Sequence, residues 1–267
     1  MRKGILIIAA ILFGTAGFVQ AQEGELHGVI DVTYQSKYIW RGFDVYNDKS
    51  AIQPSIDLDL YGTGFGINIA AHRANSDGFE DGERWDYTLY YQNSLFEGEA
   101  YQTNYRLGYV YFNFPDNSSH TTSSIDMQEI HTILSWPKIC PFGVVPSYCL
   151  VKLWPSNSDS PVSKVSGFAH IFMLDYGLAI PGLTSETPEQ ILNLHTELVY
   201  NDGVDPRPNG PGVDHDWSNA VFGISTNFDL GNNLTFTPGV YHQITMDKSV
   251  NDDKDETWVN LSVKYAF

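Results

Sequence analysis

The chain contains 267 residues and carries a formal net charge of −17 at pH 7. So acidic a protein repels nucleic acid and bare anionic lipid, which disfavours both as direct partners. Aromatic residues make up 14% of the chain, a content that excludes a disordered protein and favours the half-buried surfaces of β-strands.

The N-terminal residues predict a secretory signal peptide over residues 1–21. Two basic residues, Arg2 and Lys3, precede an apolar stretch over residues 5–13 and a small-residue cleavage pattern at residues 19–21. The apolar stretch is shorter than the roughly 20 residues that a membrane helix needs. A buried N-terminal strand and an uncleaved anchor are the alternatives.

The remaining residues, 22–267, are expected to form one domain built from about twelve strands. Apolar and polar side chains alternate along them with a period of two, which is typical of strands with two different faces. The segments are centred near residues 34, 56, 69, 89, 106, 131, 150, 173, 195, 223, 239 and 262. The sixth to the eighth are the least regular, so ten or fourteen strands are the alternative counts.

The first segment shows the alternation clearly. Ile30, Val32 and Tyr34 share one face, and the same row continues to Tyr38 and Trp40. The opposite row is polar and consists of Asp31, Thr33, Gln35, Lys37 and Arg41. The spacing therefore predicts one long amphipathic strand from residue 28 to residue 41.

The connections between the segments alternate in length. Six long ones are predicted at residues 42–50, 73–83, 113–124, 155–165, 201–216 and 246–255, with shorter turns between them except at residues 180–189. Outer-membrane barrels alternate long external loops with short periplasmic turns. The pattern thus predicts that both termini lie on the periplasmic side.

The last segment is amphipathic and ends on an aromatic residue, Phe267. Val259, Leu261 and Val263 lie on its apolar row, while the intervening residues are polar. This ending resembles the C-terminal sorting signal of bacterial outer-membrane proteins, which their barrel insertion machinery recognises. A soluble β-sandwich also alternates, but it has no need of such a terminal strand.

Aromatic side chains near the strand ends favour a membrane barrel over a soluble sandwich. They are Tyr38, Trp40, Trp85, Tyr101, Tyr111, Trp136, Tyr265 and Phe267. Membrane barrels carry aromatic girdles on the lipid face and polar side chains on the lumen face. The predicted fold is therefore all-β, a transmembrane antiparallel up-and-down β-barrel of about 12 strands.

Two stretches near the start resemble a known family. The sequence Ser-Lys-Tyr-Ile-Trp-Arg-Gly at residues 36–42, the Pro-containing stretch Ala-Ile-Gln-Pro-Ser-Ile at residues 51–56, and the glycines at 62, 64 and 66 are similar to the opening of the TorF-like porin family of small proteobacterial outer-membrane proteins. The likeness covers roughly 70 residues, and the rest of the chain matches only in pattern. It implies a porin-like role and names no substrate.

Charged residues on the polar rows are the candidate pore lining. They are Asp31, Lys37, Arg41, Asp57, Asp59, Asp86, Arg106, Glu129, Asp175, Glu197 and Lys264. Rings of charged side chains select ions, and the surplus of acid favours cations. The alternative is a set of mutually neutralising pairs that keeps the wall hydrated.

Cysteine and histidine offer little further chemistry. Cys140 and Cys149 flank a turn and favour a disulfide that closes the hairpin, free thiols being the alternative. The eight histidines are scattered, and none has the spacing that pairs it with a serine nucleophile. His72, His131 and His195 are expected on the lumen wall, and neither a metal ion nor a cofactor is expected.

Taken together, these patterns predict a protein exported to the cell outer membrane, in contact with membrane lipid and lipopolysaccharide. The expected function is a passive channel for small hydrophilic solutes or ions, without enzymatic activity and without nucleic acid as partner. A non-transporting barrel, either a lipid-modifying enzyme or a structural or adhesive protein, is the alternative. The sequence leaves the oligomeric state open.

Overall fold

Every one of the twelve alternating segments forms a strand in the computed structural model, which describes residues 25–117, 124–183 and 188–267. The signal peptide expected at residues 1–21 lies outside the described residues. These described ranges contain fifteen strands: β1 (His27–Gln35), β2 (Ile39–Trp40), β3 (Phe43–Asp44), β4 (Ala51–Asp59), β5 (Phe65–Ala74), β6 (Arg84–Leu95), β7 (Thr103–Asn113), β8 (Met127–Ser135), β9 (Val145–Pro155), β10 (Gly167–Pro181), β11 (Glu189–Asp202), β12 (Asp216–Thr226), β13 (Phe228–Gly231), β14 (Leu234–Thr245) and β15 (Glu256–Ala266).

The helices of the described residues are short 3₁₀ turns in the long connections, at Glu80–Gly82, Ser163–Val165 and Asn251–Asp253. Within the described ranges no helix is long and apolar enough to cross a membrane.

Twelve long strands close into a ring in which each strand pairs antiparallel with its neighbours in sequence. The ring closes between the first and the last strand, β1 and β15, where Asp31 pairs with Lys264. Strand β12 is interrupted after Thr226, and the short strand β13 continues along β14 to the hairpin turn at residues 232–233. Closure satisfies the backbone groups that the edges of an open sheet would leave unpaired.

The two ends of the barrel differ. Long connections, described at residues 36–50, 75–83, 114–117 with 124–126, 156–166, 203–215 and 246–255, lie at one end, called the long-loop end. The short turns between the strands, the start of β1 and the end of β15 lie at the other, the short-turn end. At the first short turn, Tyr61, Gly62 and Gly64 have φ of 61°, 65° and 85°, a conformation that glycine adopts without strain.

The apolar rows of the strands point out of the ring. Large hydrophobic side chains stay exposed all around it, for example Leu89 on β6, Ile130 on β8, Leu174 on β10 and Val240 on β14, each more than half exposed. Soluble monomers rarely expose an apolar surface so extensive. The rows therefore do not pack together as the core of a sandwich, and they form a continuous apolar belt.

The inward rows are not uniformly polar, which the sequence pattern does not predict. Near the long-loop end, the inner faces of β7 to β10 carry a hydrophobic cluster that includes Phe112, Met127, Val151 and Leu153. Residues of the long connections also belong to this cluster, among them Val162, Val165 and Val204. One side of the lumen is thus filled with apolar packing at this end.

The first strand is shorter than predicted. It ends at Gln35, and the chain then leaves the wall, so Tyr38 and Trp40 do not belong to an outer aromatic girdle. Tyr38 is only 3% exposed and belongs to a second buried cluster with Tyr46 and Ala51. The alternation over residues 36–41 therefore reflects a separate structure inside the barrel.

Candidate functional site

The segment of residues 36–50, called the inward loop, folds into the barrel. It starts where Ser36 exchanges two hydrogen bonds with Val259 of β15, at 2.9 and 2.8 Å. Strands β2 and β3 then form a tight hairpin whose two central residues, Arg41 and Gly42, have φ of 54° and 87°. Positive φ at both positions is typical of hairpin turns that follow the natural strand twist.

Two contacts bind the tip of the inward loop to distant parts of the wall. Arg41 Nη2 lies 2.6 Å from Glu129 Oε2 on β8. Gly42 accepts through its carbonyl a hydrogen bond of 2.8 Å from Gln243 Nε2 on β14. Because β8 and β14 are five strands apart in a ring of twelve, the loop crosses the lumen.

Aromatic packing fixes the loop on the side of β6 and β7. Trp40 meets Phe112 edge to face, with 5.4 Å between ring centroids. The guanidinium of Arg84 lies 3.8 Å from the centroid of Trp40, a cation–π geometry. Arg84 is also bonded to Asp86, at 2.8 Å between Nε and Oδ1, and Asp86 accepts a hydrogen bond of 2.9 Å from His72 Nε2.

Tyrosine side chains tie the loop to β5. The Tyr46 hydroxyl donates to the carbonyl of His72 at 2.8 Å, and the ring of Tyr38 stacks on that of His72 with 5.1 Å between centroids. Burial raises the pKa of both tyrosine hydroxyls above their ordinary values. Both phenols are therefore neutral at physiological pH, and the Tyr38 hydroxyl has no hydrogen-bond partner among the described residues.

An ion cluster anchors the base of the loop. Lys37 Nζ contacts Asp48 and lies 2.7 Å from Glu256 Oε2 on β15. Hydrogen bonds to these two carboxylates raise the pKa of Lys37, and the bond from Lys37 lowers the pKa of Asp48. Asp44 also lies close to both carboxylates, so the single Lys37 ammonium faces three acidic side chains.

A second polar group lies nearer the short-turn end. The Tyr90 hydroxyl donates to Asp57 Oδ1 at 2.6 Å, and the Arg106 guanidinium lies 3.6 Å from the centroid of the Tyr90 ring. Arg106 Nη2 is also 3.7 Å from Asp57 Oδ2. Gly66 makes room for this packing, since a Cβ there would lie 2.1 Å from Tyr90 Cζ.

Most of the remaining predicted pore-lining residues fall into local pairs, whereas Glu197 has only His195 Nε2 nearby, at 4.0 Å. His131 Nδ1 lies 2.9 Å from Glu129, and His195 Nδ1 lies 2.7 Å from Asp175. Lys264 Nζ is 3.8 Å from Asp31, which also accepts a bond from Ser262. Asp59 differs from these pairs, because it accepts from the backbone N–H of Gly62 and so caps the first short turn.

Sequence reasoning missed several residues of these networks, among them Arg84, Tyr90, Gln243 and Glu256. Arg84 and Tyr90 share the inward row of β6 with the predicted Asp86, so their spacing carried the signal. Glu256 directly follows the predicted loop at residues 246–255, and it begins β15.

The two cysteines are free thiols here, contrary to the favoured disulfide. Cys149 is buried on the inner face of β9, opposite Ile133 of β8. Cys140 lies in the turn beyond the last paired residues, Ser135 and Ser147. Cys149 lies within β9, whereas Cys140 lies outside both strands, so the two thiols are at different positions along the hairpin.

The interior of the barrel has a cavity towards each end. The cavity at the short-turn end has a volume of about 490 Å³ and a mostly amide and hydroxyl lining that includes Gln92, Asn104 and Arg106. The other has a volume of about 330 Å³ and lies against the inward loop, with Arg41, Glu197 and Gln243 in its wall.

No family model and no curated protein matches the chain. Solved structures of outer-membrane barrels share its fold. The KdgM porin aligns with a TM-score of 0.51 at 10% identity, over 90% of this chain and 99% of that one. The NanC porin gives 0.51 at 10%, over 89% and 98%, and an outer-membrane channel from Pseudomonas putida F1 gives 0.51 at 12%, over 92% and 96%.

Proposed function

We propose that the chain is a porin-like outer-membrane channel through which small hydrophilic solutes or ions diffuse passively. This proposal depends on the chemical difference between the outer and the inner face of the barrel. An apolar belt surrounds the ring, while charged networks and polar cavities lie within it. A closed barrel satisfies its backbone groups in hydrocarbon, and a polar interior admits water.

The orientation of the barrel in the membrane follows from the different lengths of the connections at its two ends. We infer that the short-turn end, with both termini, faces the periplasm and that the long-loop end faces outward, towards lipopolysaccharide. Export through a signal peptide at residues 1–21 and insertion guided by the terminal Phe267 belong to the same proposal. Phe267 pairs with Gly28 through two backbone hydrogen bonds of 2.9 Å, so the proposed sorting signal is part of the strand that closes the ring.

The likeness in fold to the porins KdgM and NanC supports this function, as does the resemblance of residues 36–56 to the TorF-like porin family. KdgM has been solved in complex with disordered oligogalacturonate, which is a property of that protein. For the present chain the charge of the lumen is the better guide to the solute class.

Acidic side chains outnumber basic ones on the inward rows and the inward loop. The acidic set is Asp31, Asp44, Asp48, Asp57, Asp59, Asp86, Glu129, Asp175, Glu197 and Glu256, and the basic set is Lys37, Arg41, Lys49, Arg84, Arg106 and Lys264. Most of the basic groups are paired with one acid each. The residual field is negative, so we propose that the channel prefers cations.

Planar-bilayer recording of the refolded mature protein tests the proposal. Stepwise currents are expected, with a reversal potential in a KCl gradient that indicates cation preference. The variant Glu197→Gln should reduce this preference, whereas Asp229→Asn, at an exposed position of β13, should leave it unchanged. A correctly folded barrel that passes no current would overturn the channel, and anion preference would overturn the proposed selectivity.

A lipid-modifying barrel is the alternative, and one pair bears on it. His242 Nδ1 lies 2.8 Å from the hydroxyl of Thr257, both exposed near the long-loop end. Within the described part of the chain His242 contacts no carboxylate. The pair therefore lacks the third group that orients a catalytic base, and the channel is the function that the geometry favours.

A further inference from the structure

The cavity beside the inward loop has a wall of mixed chemistry. Its volume of about 330 Å³ is bounded by Trp40 and Arg41 of the loop and by inward residues of β11, β12, β14 and β15. It therefore lies where a solute that crosses the barrel must pass the loop. Each part of its wall has a definite preference for a ligand.

One part is aromatic. Tyr241 of β14 and Trp258 of β15 are register partners, and their rings stack with 5.6 Å between centroids and 15° between planes. Gly223 on the neighbouring strand leaves the space for Tyr241, since a Cβ there would lie 2.5 Å from its ring. Aromatic rings attract cations at their faces and also pack against the C–H groups of sugars.

A second part carries negative charge. The carboxylate of Glu197 has no hydrogen bond among the described residues, and its nearest basic atom is His195 Nε2 at 4.0 Å. That histidine is already bonded to Asp175 through Nδ1, and Arg41 is bonded to Glu129. Glu197 is thus the carboxylate of this cavity without a close cationic partner, and its side chain is 28% exposed.

A third part offers hydrogen-bond acceptors. Gln243 is fully buried and uses its Nε2 on the Gly42 carbonyl and on Thr245, while its Oε1 has no partner among the described residues. Asn260 Oδ1, also in this wall, has none either. A buried acceptor without a donor costs about 1–3 kcal/mol, so a ligand that brings N–H or O–H groups is favoured.

We propose that this cavity is a binding site for a small organic ammonium ion that also carries hydroxyl groups, such as an amino sugar. The ammonium group pairs with Glu197 and lies against the Tyr241–Trp258 pair, and hydroxyl groups donate to Gln243 and Asn260. The proposal rests on the proposed channel function and names the solute class that the channel retains at the inward loop.

Equilibrium binding to the refolded protein in detergent tests the site without requiring any current. Glucosamine, glucose and glucuronate share size and hydroxyl groups and differ in charge, and at about pH 6.5 the amine is protonated and the carboxylate ionised. Titration with each, followed by tryptophan fluorescence and by calorimetry, should give the tightest binding for glucosamine, about ten-fold weaker binding for glucose, and the weakest for glucuronate.

Two variants make the result specific. Glu197→Gln keeps the shape of the side chain and should weaken glucosamine binding about ten-fold, which corresponds to 1.4 kcal/mol, so that glucosamine and glucose bind alike. Asp229→Asn, at an exposed position of β13, is the control and should bind as the wild type does. Equal binding of the three sugars, or an unchanged affinity in Glu197→Gln, would overturn the site. If the protein binds glucosamine selectively but conducts no current, the proposed binding site is supported and the proposed channel function is contradicted.

Discussion

Arg41 and Glu129 form the ion pair that joins the tip of the inward loop to the wall of the barrel, with 2.6 Å between Arg41 Nη2 and Glu129 Oε2. The Glu129 side chain is only 3% exposed, and that of Arg41 is 20% exposed. His131 contacts the second carboxylate oxygen at 2.9 Å. The loop is therefore held in the lumen by a largely desolvated charge pair.

Removal of the arginine should release the loop. In Arg41→Met the carboxylate of Glu129 loses its cation, and loss of one partner of a buried pair costs about 3–5 kcal/mol. We expect a higher single-channel conductance in planar bilayers, and faster protease cleavage within residues 36–50.

The matched control is Arg73→Met. Arg73 is paired with Glu83 at 2.8 Å, but its side chain is 66% exposed, and exposed pairs contribute about 0–1 kcal/mol. This variant should conduct as the wild type does. An Arg41→Met channel with the conductance of the control would show that the loop does not limit the passage.

The base of the loop should respond to acid. Lys37 lowers the pKa of Asp48, so this contact stabilises the fold above the ordinary aspartate pKa, and the stabilisation is lost as the pH falls through the lowered value. Burial raises the pKa of Asp44. Protonation of Asp44 as the pH falls therefore favours the fold and opposes this loss. Because the pKa of Lys37 is raised, its stabilisation of the fold is fully present below the ordinary lysine pKa. It is lost only in strong alkali.

Loop protection should therefore decline below about pH 4. Hydrogen exchange of residues 36–50, measured on the wild type and on Lys37→Met at pH values between 3 and 7, checks this. The variant should exchange faster than the wild type at pH 7, and the two should converge at pH 3. A constant difference over the whole range would contradict a role for the Lys37 cluster.

The strands were predictable from the sequence, but the interior was not. Alternation is a local property, so twelve segments and six long connections could be located from spacing alone. The inward loop keeps the same period of two through Tyr38 and Trp40, and it leaves the wall for a tertiary reason. Trp40 packs on Phe112 and Arg84, which are distant in sequence.

The site shows the same division between local and tertiary information. The face of the strand on which Asp57, Asp86 and Glu129 lie follows from the alternation of inward and outward residues along each strand. Their partners do not, since the Arg41 to Glu129 contact joins residues 88 positions apart. The apolar side of the lumen, formed by Val151 and Leu153, is hidden in the sequence because β9 is apolar on both rows.

Gly66 should be essential for the packing of Tyr90. In Gly66→Ala the new Cβ would lie 2.1 Å from Tyr90 Cζ, so the ring must move away from Asp57 and Arg106. Overpacking of this kind costs about 1–3 kcal/mol, and urea unfolding of the refolded barrel should show the loss. If steric conflict is the cause, the same change in a Tyr90→Ala background should cost almost nothing, because the two sites are coupled. Additive losses would point to backbone strain instead.

The direction in which the strands face is tested most directly at neighbouring residues of β6. Leu89 is 53% exposed on the outward row, while Thr88 lies on the inward row opposite Asn68. A lysine on the lipid face near the middle of the membrane costs about 2–4 kcal/mol, whereas a lysine in the lumen remains hydrated. Leu89→Lys should therefore lower the unfolding free energy in lipid vesicles by that amount, and Thr88→Lys should leave it nearly unchanged. The reverse order of the two variants would mean that the apolar rows do not face lipid, and the channel proposal would fail with them.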